Sequence, residues 1–267
     1  DIRISKSVNK NLRLWSNINF TRAKNEVIDA DVPQLLDLYA KPIGKQIGQA
    51  YSFVNAGYYN NWDELYASTR HDVNDNQKIP GNYHIIDYNA DGIIDANDNI
   101  PFGFSGAPEN TYNATIGFEW KKFSAFTQFY GVNNVTRQVV LGTFGSQNPV
   151  AFEEGSYWSV NNQNADVPMP RWSSTPSTYN VGNRYLFDGS YLRLKNAEIA
   201  YTFDQKWVKK AGMSRVRVFI NGNNLAVWTK MPDDREGNFQ GPGGQGWAAQ
   251  GAYPTVKRYN FGTNIIF

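Results

Sequence analysis

Apolar and polar residues alternate with period two along this chain, in bursts of roughly nine to thirteen residues, about the length a tilted strand needs to cross a bilayer. Leu12, Leu14, Ile18 and Phe20 alternate with Arg13, Trp15, Asn17 and Asn19. Tyr112, Ala114, Ile116, Phe118 and Trp120 alternate with Asn113, Thr115, Gly117 and Glu119. The next burst, residues 123–131, is less clean because Phe126 and Tyr130 fall on its polar face. Ala197, Ile199, Tyr201 and Phe203 follow, then Val216, Val218 and Ile220, and last Tyr259, Phe261, Thr263, Ile265 and Phe267. One face is apolar each time, and a short run at residues 2–7 precedes them. The pattern predicts about seven half-buried strands.

The connections carry more information than the strands. Residues 8–11, 121–122 and 204–215 are short links, the last holding a helical turn at 205–210 ended by Gly212. Alternating with them are three long excursions, residues 24–109, 132–189 and 225–254. Loops of that size are unusual in a compact soluble domain. They are ordinary on a transmembrane barrel, with short periplasmic turns and long extracellular loops. Parity then places all three excursions outside and the final strand running down to the periplasm. Seven is odd whereas bacterial single-chain barrels have an even count, so these strands are expected to belong to a larger barrel whose N-terminal strands lie elsewhere.

The first excursion predicts a short helix at 31–40, where an early Pro33 follows a possible cap, an extended segment at 51–59 and another short helix at 62–68. Residues 87–98 then read D-Y-N-A-D-G-I-I-D-A-N-D. Asp87, Asn89, Asp91, Asp95 and Asp98 put side-chain oxygens at positions 1, 3, 5, 9 and 12, Gly92 sits at 6, and Ile93 offers a carbonyl at 7. That is the ligand spacing of a Ca²⁺ loop, in which a glycine lets the backbone turn around an ion held by oxygens. Asp98 departs from the Glu usual at position 12. A solvated Asp/Asn turn is the alternative. The flanks, a β-like run at 83–86 and a Pro-interrupted turn at 99–103, lack the paired helices of an EF-hand, so the loop reads as a static clamp rather than a sensor.

Composition leaves the environment open. The 267 residues include 16 Tyr, 16 Phe and 8 Trp, with 41% hydrophobic side chains and a mean hydropathy of −0.55. A soluble all-β protein fits, and so does a transmembrane barrel whose lumen and loops are polar. No apolar run approaches the length of a membrane helix. A soluble, calcium-stabilised, lectin-like sandwich would leave the short-long rhythm of connections unexplained. The net charge of +2 is spread without long blocks and makes no electrostatic case for nucleic acid. Absence of Cys removes disulfides and thiolate chemistry. A chain starting at Asp1-Ile2-Arg3 without a signal segment reads as a mature or truncated piece.

In order along the chain come Lys41-Pro42-Ile43-Gly44, Tyr58-Tyr59, the acidic loop, Trp158, Pro170-Arg171, the run Ser190-Tyr191-Leu192-Arg193-Leu194-Lys195-Asn196 opening a strand that ends in Tyr201, Asn221-Gly222-Asn223-Asn224-Leu225 closing the next, and Tyr253-Pro254 ahead of the final strand. This series resembles the C-terminal third of the SusC/RagA type of TonB-dependent outer-membrane receptor over nearly the whole chain. The resemblance implies an all-β fold, a transmembrane antiparallel β-barrel of 22 strands in the bacterial outer membrane, with residues 1–267 supplying its C-terminal strands and long extracellular loops. It implies import of oligosaccharides or peptides, a SusD-like surface lipoprotein as partner, and energy from TonB engaged through an N-terminal region that, with the plug domain, lies outside these residues. The terminal Phe267 fits an assembly signal read by the barrel-assembly machinery, or simply an interfacial aromatic. Met231-Pro232-Asp233-Asp234-Arg235-Glu236 departs from a Tyr-Asp-Pro-Glu-like segment of the family. The alternative function is a scaffolding barrel that docks surface proteins without transport.

Catalysis has little support. His71 and His84 are the two histidines, residues 103–106 lack the spacing of a nucleophile elbow, and Glu153, Glu154, Asp233 and Asp234 are adjacent acids in polar loops. The glycines of residues 241–246 lack the Lys-Ser/Thr of a phosphate loop. Tyr157, Trp158, Trp172, Tyr179 and Trp247 are candidates to stack on sugars, bury against a lipoprotein, or pack the long loops together.

Overall fold

The alternating bursts and the short run before them fold as one seven-stranded sheet in a computed structural model that describes residues 1–138, 157–165, 168–169, 182–203, 206–231, 246–247 and 255–267. Its strands are β1 (Ile2–Asn9), β2 (Leu12–Arg22), β3 (Asn110–Trp120), β4 (Phe123–Asn133), β5 (Tyr191–Phe203), β6 (Arg215–Thr229) and β7 (Arg258–Ile266). Each pairs antiparallel with the next in chain order, a simple meander. The helical turn in the β5–β6 link is α2 (Lys206–Lys210), its exit aided by Gly212 at φ +78°; α1 is Trp62–Ala67. No described helix is long and apolar enough to cross a membrane.

Register settles the faces. Ile4, Ser16, Ile116, Thr127, Ala197, Gly222 and Tyr259 lie opposite one another in a row across the sheet. Since side chains alternate along a strand, their face also carries Ile2, Leu14, Ile18, Phe118, Ile199, Ile220 and Phe261. These apolar side chains are 37 to 71% exposed. Water would not tolerate so large a continuous apolar patch on a monomeric protein, whereas a barrel turns such a face to lipid. At the short-turn end the patch ends in an aromatic cluster, Trp120 on Phe123 at 6.2 Å, Phe123 on Tyr201 at 4.6 Å and Tyr201 on Phe203 at 4.6 Å. That is the composition of an interfacial girdle.

Among the described residues the main buried cluster lies in the excursions rather than on the sheet. Tyr58, Tyr83, Ile85, Ile94, Trp158 and Ala165 form it, with Phe53, Met169 and Phe187 packed against them. Two-stranded ribbons surround it, Gln49–Ser52 with Ile100–Ser105 and Asn55–Tyr58 with Tyr83–Ile85. The long loops are thus a packed layer at one end of the wall. β1 and β7 are the outer strands of the sheet, so the described residues form an open arc of wall and not a closed barrel.

Three local expectations are corrected. Residues 31–40 form isolated turns, Leu36 N–H donating to Pro33 O and Ala40 N–H to Asp37 O, and no helix. Leu35 is fully exposed and Leu38 is 85% exposed; a helix this short needs a packed apolar face to persist, and this one has none. Residues 99–103 are not a turn but most of the strand Ile100–Ser105, where Pro101 lies opposite Tyr51 in a narrow ribbon that tolerates its missing N–H. Residues 221–225 do not close a strand. They sit inside β6, which runs on to Thr229, with the pairing register shifting opposite Leu194 and Asn196 and Asn224 at φ +53°. The third excursion accordingly begins after Thr229 rather than at Leu225.

Candidate functional site

The acidic loop closes on its own backbone. Asp87 Oδ2 accepts from Gly92 N–H at 2.9 Å, with Gly92 at φ +88° as the turn requires. Asn89 Oδ1 accepts from Asp91 N–H at 3.1 Å, and Asp91 Oδ1 from Ile93 N–H at 2.9 Å. Asp95 caps a one-turn 3₁₀ helix, Ala96–Asp98, and Asp98 returns the bond from Asp95 N–H at 2.9 Å. Asp98 is wholly buried, its other oxygen accepting from Tyr88 N–H at 2.6 Å.

Whether these groups fit a Ca²⁺ ion divides the donor set. Asp87 Oδ1 is buried with no hydrogen-bond partner, the state expected of an oxygen awaiting a cation. Against that, among the described residues no three His, Asp or Glu side chains stand close enough to share an ion. Both oxygens of Asp98 already hold amides, Oδ1 those of Tyr88 and Asn89 and Oδ2 that of Asp95, so only Oδ2 keeps a lone pair that could bind a metal while accepting a hydrogen bond.

The loop is also tied to its surroundings. Tyr39 donates its hydroxyl to Asn97 O at 2.5 Å and packs edge-on against Tyr88 at 5.0 Å, and the pair Arg70–His71 runs parallel to Ile93–Ile94. Lys45 donates to Tyr39 O. Burial, aided by Asp37, pushes the Tyr39 hydroxyl up to about 12, so it remains a donor. The loop is therefore joined to segments that lie about 20 to 60 residues away in sequence.

Beneath the excursions, the polar face of the wall carries a ladder of neutral amides. Gln128 donates to Asn113 at 3.3 Å, Asn196 to Gln128 at 2.5 Å, and Asn223 to Asn196. Asn260 then donates to Asn221 at 2.8 Å, and Asn221 to Glu198 at 3.4 Å. Arg217 pairs with Glu198 at 2.5 Å. Aromatic rings share this face, Trp15 lying 6.4 Å from Phe126 and leaning over Gly117, where a Cβ would meet its ring. The polar-face placement of Phe126, which made its strand hard to read, is thus a ring contact. Amides that both donate and accept suit hydroxyl or peptide groups.

The histidines are packed. His71 is 4% exposed, and burial, followed by the Lys78 charge, lowers its pKa to about 4. His84 stacks on the fully buried Tyr59 at 4.7 Å. Lys78 pairs with Asp75 at 2.7 Å beside the same tyrosine. Nothing local in the sequence announces this polar cluster, since its members join through the fold.

Of the five aromatic candidates, Trp158 is buried in the loop core, its indole N–H donating to Asn60 at 3.3 Å, so it packs the first two excursions together. Tyr157 is half-buried beside it. Trp172 and Tyr179, the side chain of Trp247, the acids Glu153, Glu154, Asp233 and Asp234, and residues 241–245 lie outside the described residues.

No family model matches the chain. Two proteins from Formosa agariphila are similar along it: TonB-dependent receptor P3, 28% identical over 95% of this chain, and TonB-dependent receptor P26, 25% identical over 96%. The chain spans 27% of the length of either one. Among solved structures, the RagAB peptide transporter superposes with a TM-score of 0.64 at 17% identity, over 98% of this chain and 28% of that one. The RagAB peptide importer in its open-open state gives 0.62 at 18% identity, over 99% and 28%. At those identities the superposition speaks for the fold. The relatives are named as receptors, not enzymes.

Proposed function

We infer, from a chain that resembles the C-terminal part of TonB-dependent receptors and lies like them in the outer membrane, that it is wall and external surface of a SusC-like importer of oligosaccharides or peptides. The observation that carries this reading is similarity along 95% of the chain combined with a sheet whose apolar face is its exposed face. On this reading the missing wall strands, the plug and the segment that engages TonB belong to the rest of the polypeptide. A SusD-like lipoprotein would seat on the packed excursions, and the amide ladder would line the lumen, offering hydrogen bonds to sugar hydroxyls or peptide groups. TonB depletion tests it. Uptake of the oligosaccharide or peptide that supports growth through the intact receptor should be abolished, with the barrel still present in the outer membrane. A growth phenotype that survives TonB depletion would instead support the scaffolding role.

We further propose that residues 87–98 bind Ca²⁺ through Asp87, Asn89, Asp91, the Ile93 carbonyl, Asp95 and Asp98. The unpartnered Asp87 Oδ1 supports this. With free calcium about a hundredfold above Kd, the ion would stabilise the clasped loop by about 2.7 kcal/mol. Chelation should therefore speed protease cleavage around residues 39–45 and 70–72, the segments tied to the loop, and Asp87→Asn should remove the calcium response. Cleavage at the same rate with and without chelator would leave a self-capped turn.

A further inference from the structure

The links at the short-turn end of the wall are predominantly basic. Lys10 lies in the β1–β2 turn, Lys121 and Lys122 make the β3–β4 turn, and Lys206, Lys209 and Lys210 come from α2; Lys122 is half-buried and the other five are exposed. The three links that hold them contain one carboxylate, Asp204. Overall charge does not explain this, because the chain has 26 basic and 24 acidic residues. The acids are concentrated at the other end, thirteen of them in residues 23–109 against five Lys and Arg.

The lysines sit at a defined depth. Lys121 directly follows Trp120 of the aromatic girdle, and its ammonium lies 5.3 Å from that indole ring. Trp120 is 48% exposed and Phe123 is 44% exposed, on the face that turns to lipid. Tryptophan rings settle at headgroup level, so ammonium groups one residue further out stand among the phosphates. α2 is held against the wall by the fully buried Val208, whose carbonyl accepts from Ala211 and Met213 N–H. That anchor leaves Lys209 and Lys210 on its outward side. The rim is a row of cations next to the aromatic end of an exposed apolar band, which places them where a lipid layer carries its phosphates.

We propose that this rim binds the anionic headgroups of the phospholipid leaflet, its lysines pairing with lipid phosphates directly below the aromatic girdle. The inference rests on the barrel reading, with the short turns facing the periplasm. A basic residue near an anionic leaflet strengthens attraction by about fivefold, and salt screens it.

The test uses the intact receptor, purified in mild detergent, given equal amounts of phosphatidylethanolamine and phosphatidylglycerol, and read by native mass spectrometry of retained lipid. The wild type should hold phosphatidylglycerol preferentially. Lys121→Gln with Lys122→Gln, and separately Lys206→Gln with Lys209→Gln and Lys210→Gln, should each reduce that preference by about fivefold per lysine neutralised. The matching Lys→Arg variants should keep it, and Lys24→Gln with Lys230→Gln at the opposite end should leave it unchanged. Equal retention of both lipids by the wild type, or Gln variants that retain phosphatidylglycerol as the wild type does, would overturn the proposal and give the rim to an acidic periplasmic protein. Heat-modifiable migration of every variant separates these outcomes from failure to form a barrel, which would count against the barrel reading itself.

Discussion

Replacing Ile116 by Arg is expected to destabilise the intact protein in a bilayer by about 2 to 4 kcal/mol, while Thr115→Arg, one residue earlier on the same strand, should cost about 1 kcal/mol or less. The contrast follows from the pleat. Ile116 is 52% exposed on the apolar face, opposite Ser16 and Thr127 and midway along β3 between Tyr112 and Trp120. That depth is near the bilayer centre, where a guanidinium loses most of its hydration and has far to snorkel. Thr115 lies opposite Asn17 and Gln128 on the face with the amide ladder, where an added cation keeps water and polar partners. Denaturant unfolding of both variants in liposomes, followed by the loss of heat-modifiable migration, measures the difference. Equal costs at the two positions would mean that the exposed apolar face does not meet lipid.

Alternation exposed the wall because the two faces meet different solvents at every residue. Leu12 to Phe20 and Tyr112 to Trp120 could hardly be read otherwise, and the odd placement of Phe126 was a true feature of the polar face. Where alternation broke, the reading broke with it. The run Asn221-Gly222-Asn223-Asn224 looks like a strand end because it is polar and turn-prone, yet a register shift carries β6 through it. Residues 31–40 have the local marks of a helix and lack a surface to pack against, a condition no window of ten residues reports. The acidic loop was visible because Asp and Asn bond their own neighbours, which makes its chemistry local. Its role in the layer was not, since Tyr39 and Asn97 are joined across 58 residues and Trp158 and Asn60 across 98. The same holds for the cluster around His71, assembled from Tyr59, Asp75, Lys78 and His84.

That cluster should make the external layer acid-labile. The neutral His71 imidazole is held in a dry site, its pKa lowered to about 4 first by burial and then by Lys78, with Asp75 and Asp72 opposing. In the unfolded excursion the ring would titrate near its ordinary value, about 6.5. Between those values the opened state binds the proton that the folded state refuses, so stability is full above about pH 6.5, falls as the pH drops, and levels off below about pH 4. A shift of that size corresponds to about 3 kcal/mol, an upper bound if the layer opens only in part. His84, also lowered by burial, acts in the same direction. Asp75 adds a later step. Burial opposes its ionisation, but bonds from Lys78 and from His71 N–H bring its pKa below the usual carboxylate value, so its contribution is lost at still lower pH. Hydrogen exchange at residues 70–72 and 93–94, corrected for intrinsic rates, should show protection lost between about pH 6.5 and pH 4 while the wall strands keep theirs. His71→Phe should flatten most of that pH dependence, because a ring of similar size would fill the site without a proton to take up. Protection that stays level through the window in the wild type, or a slope that survives the substitution, would mean that opening of the external layer does not expose this histidine.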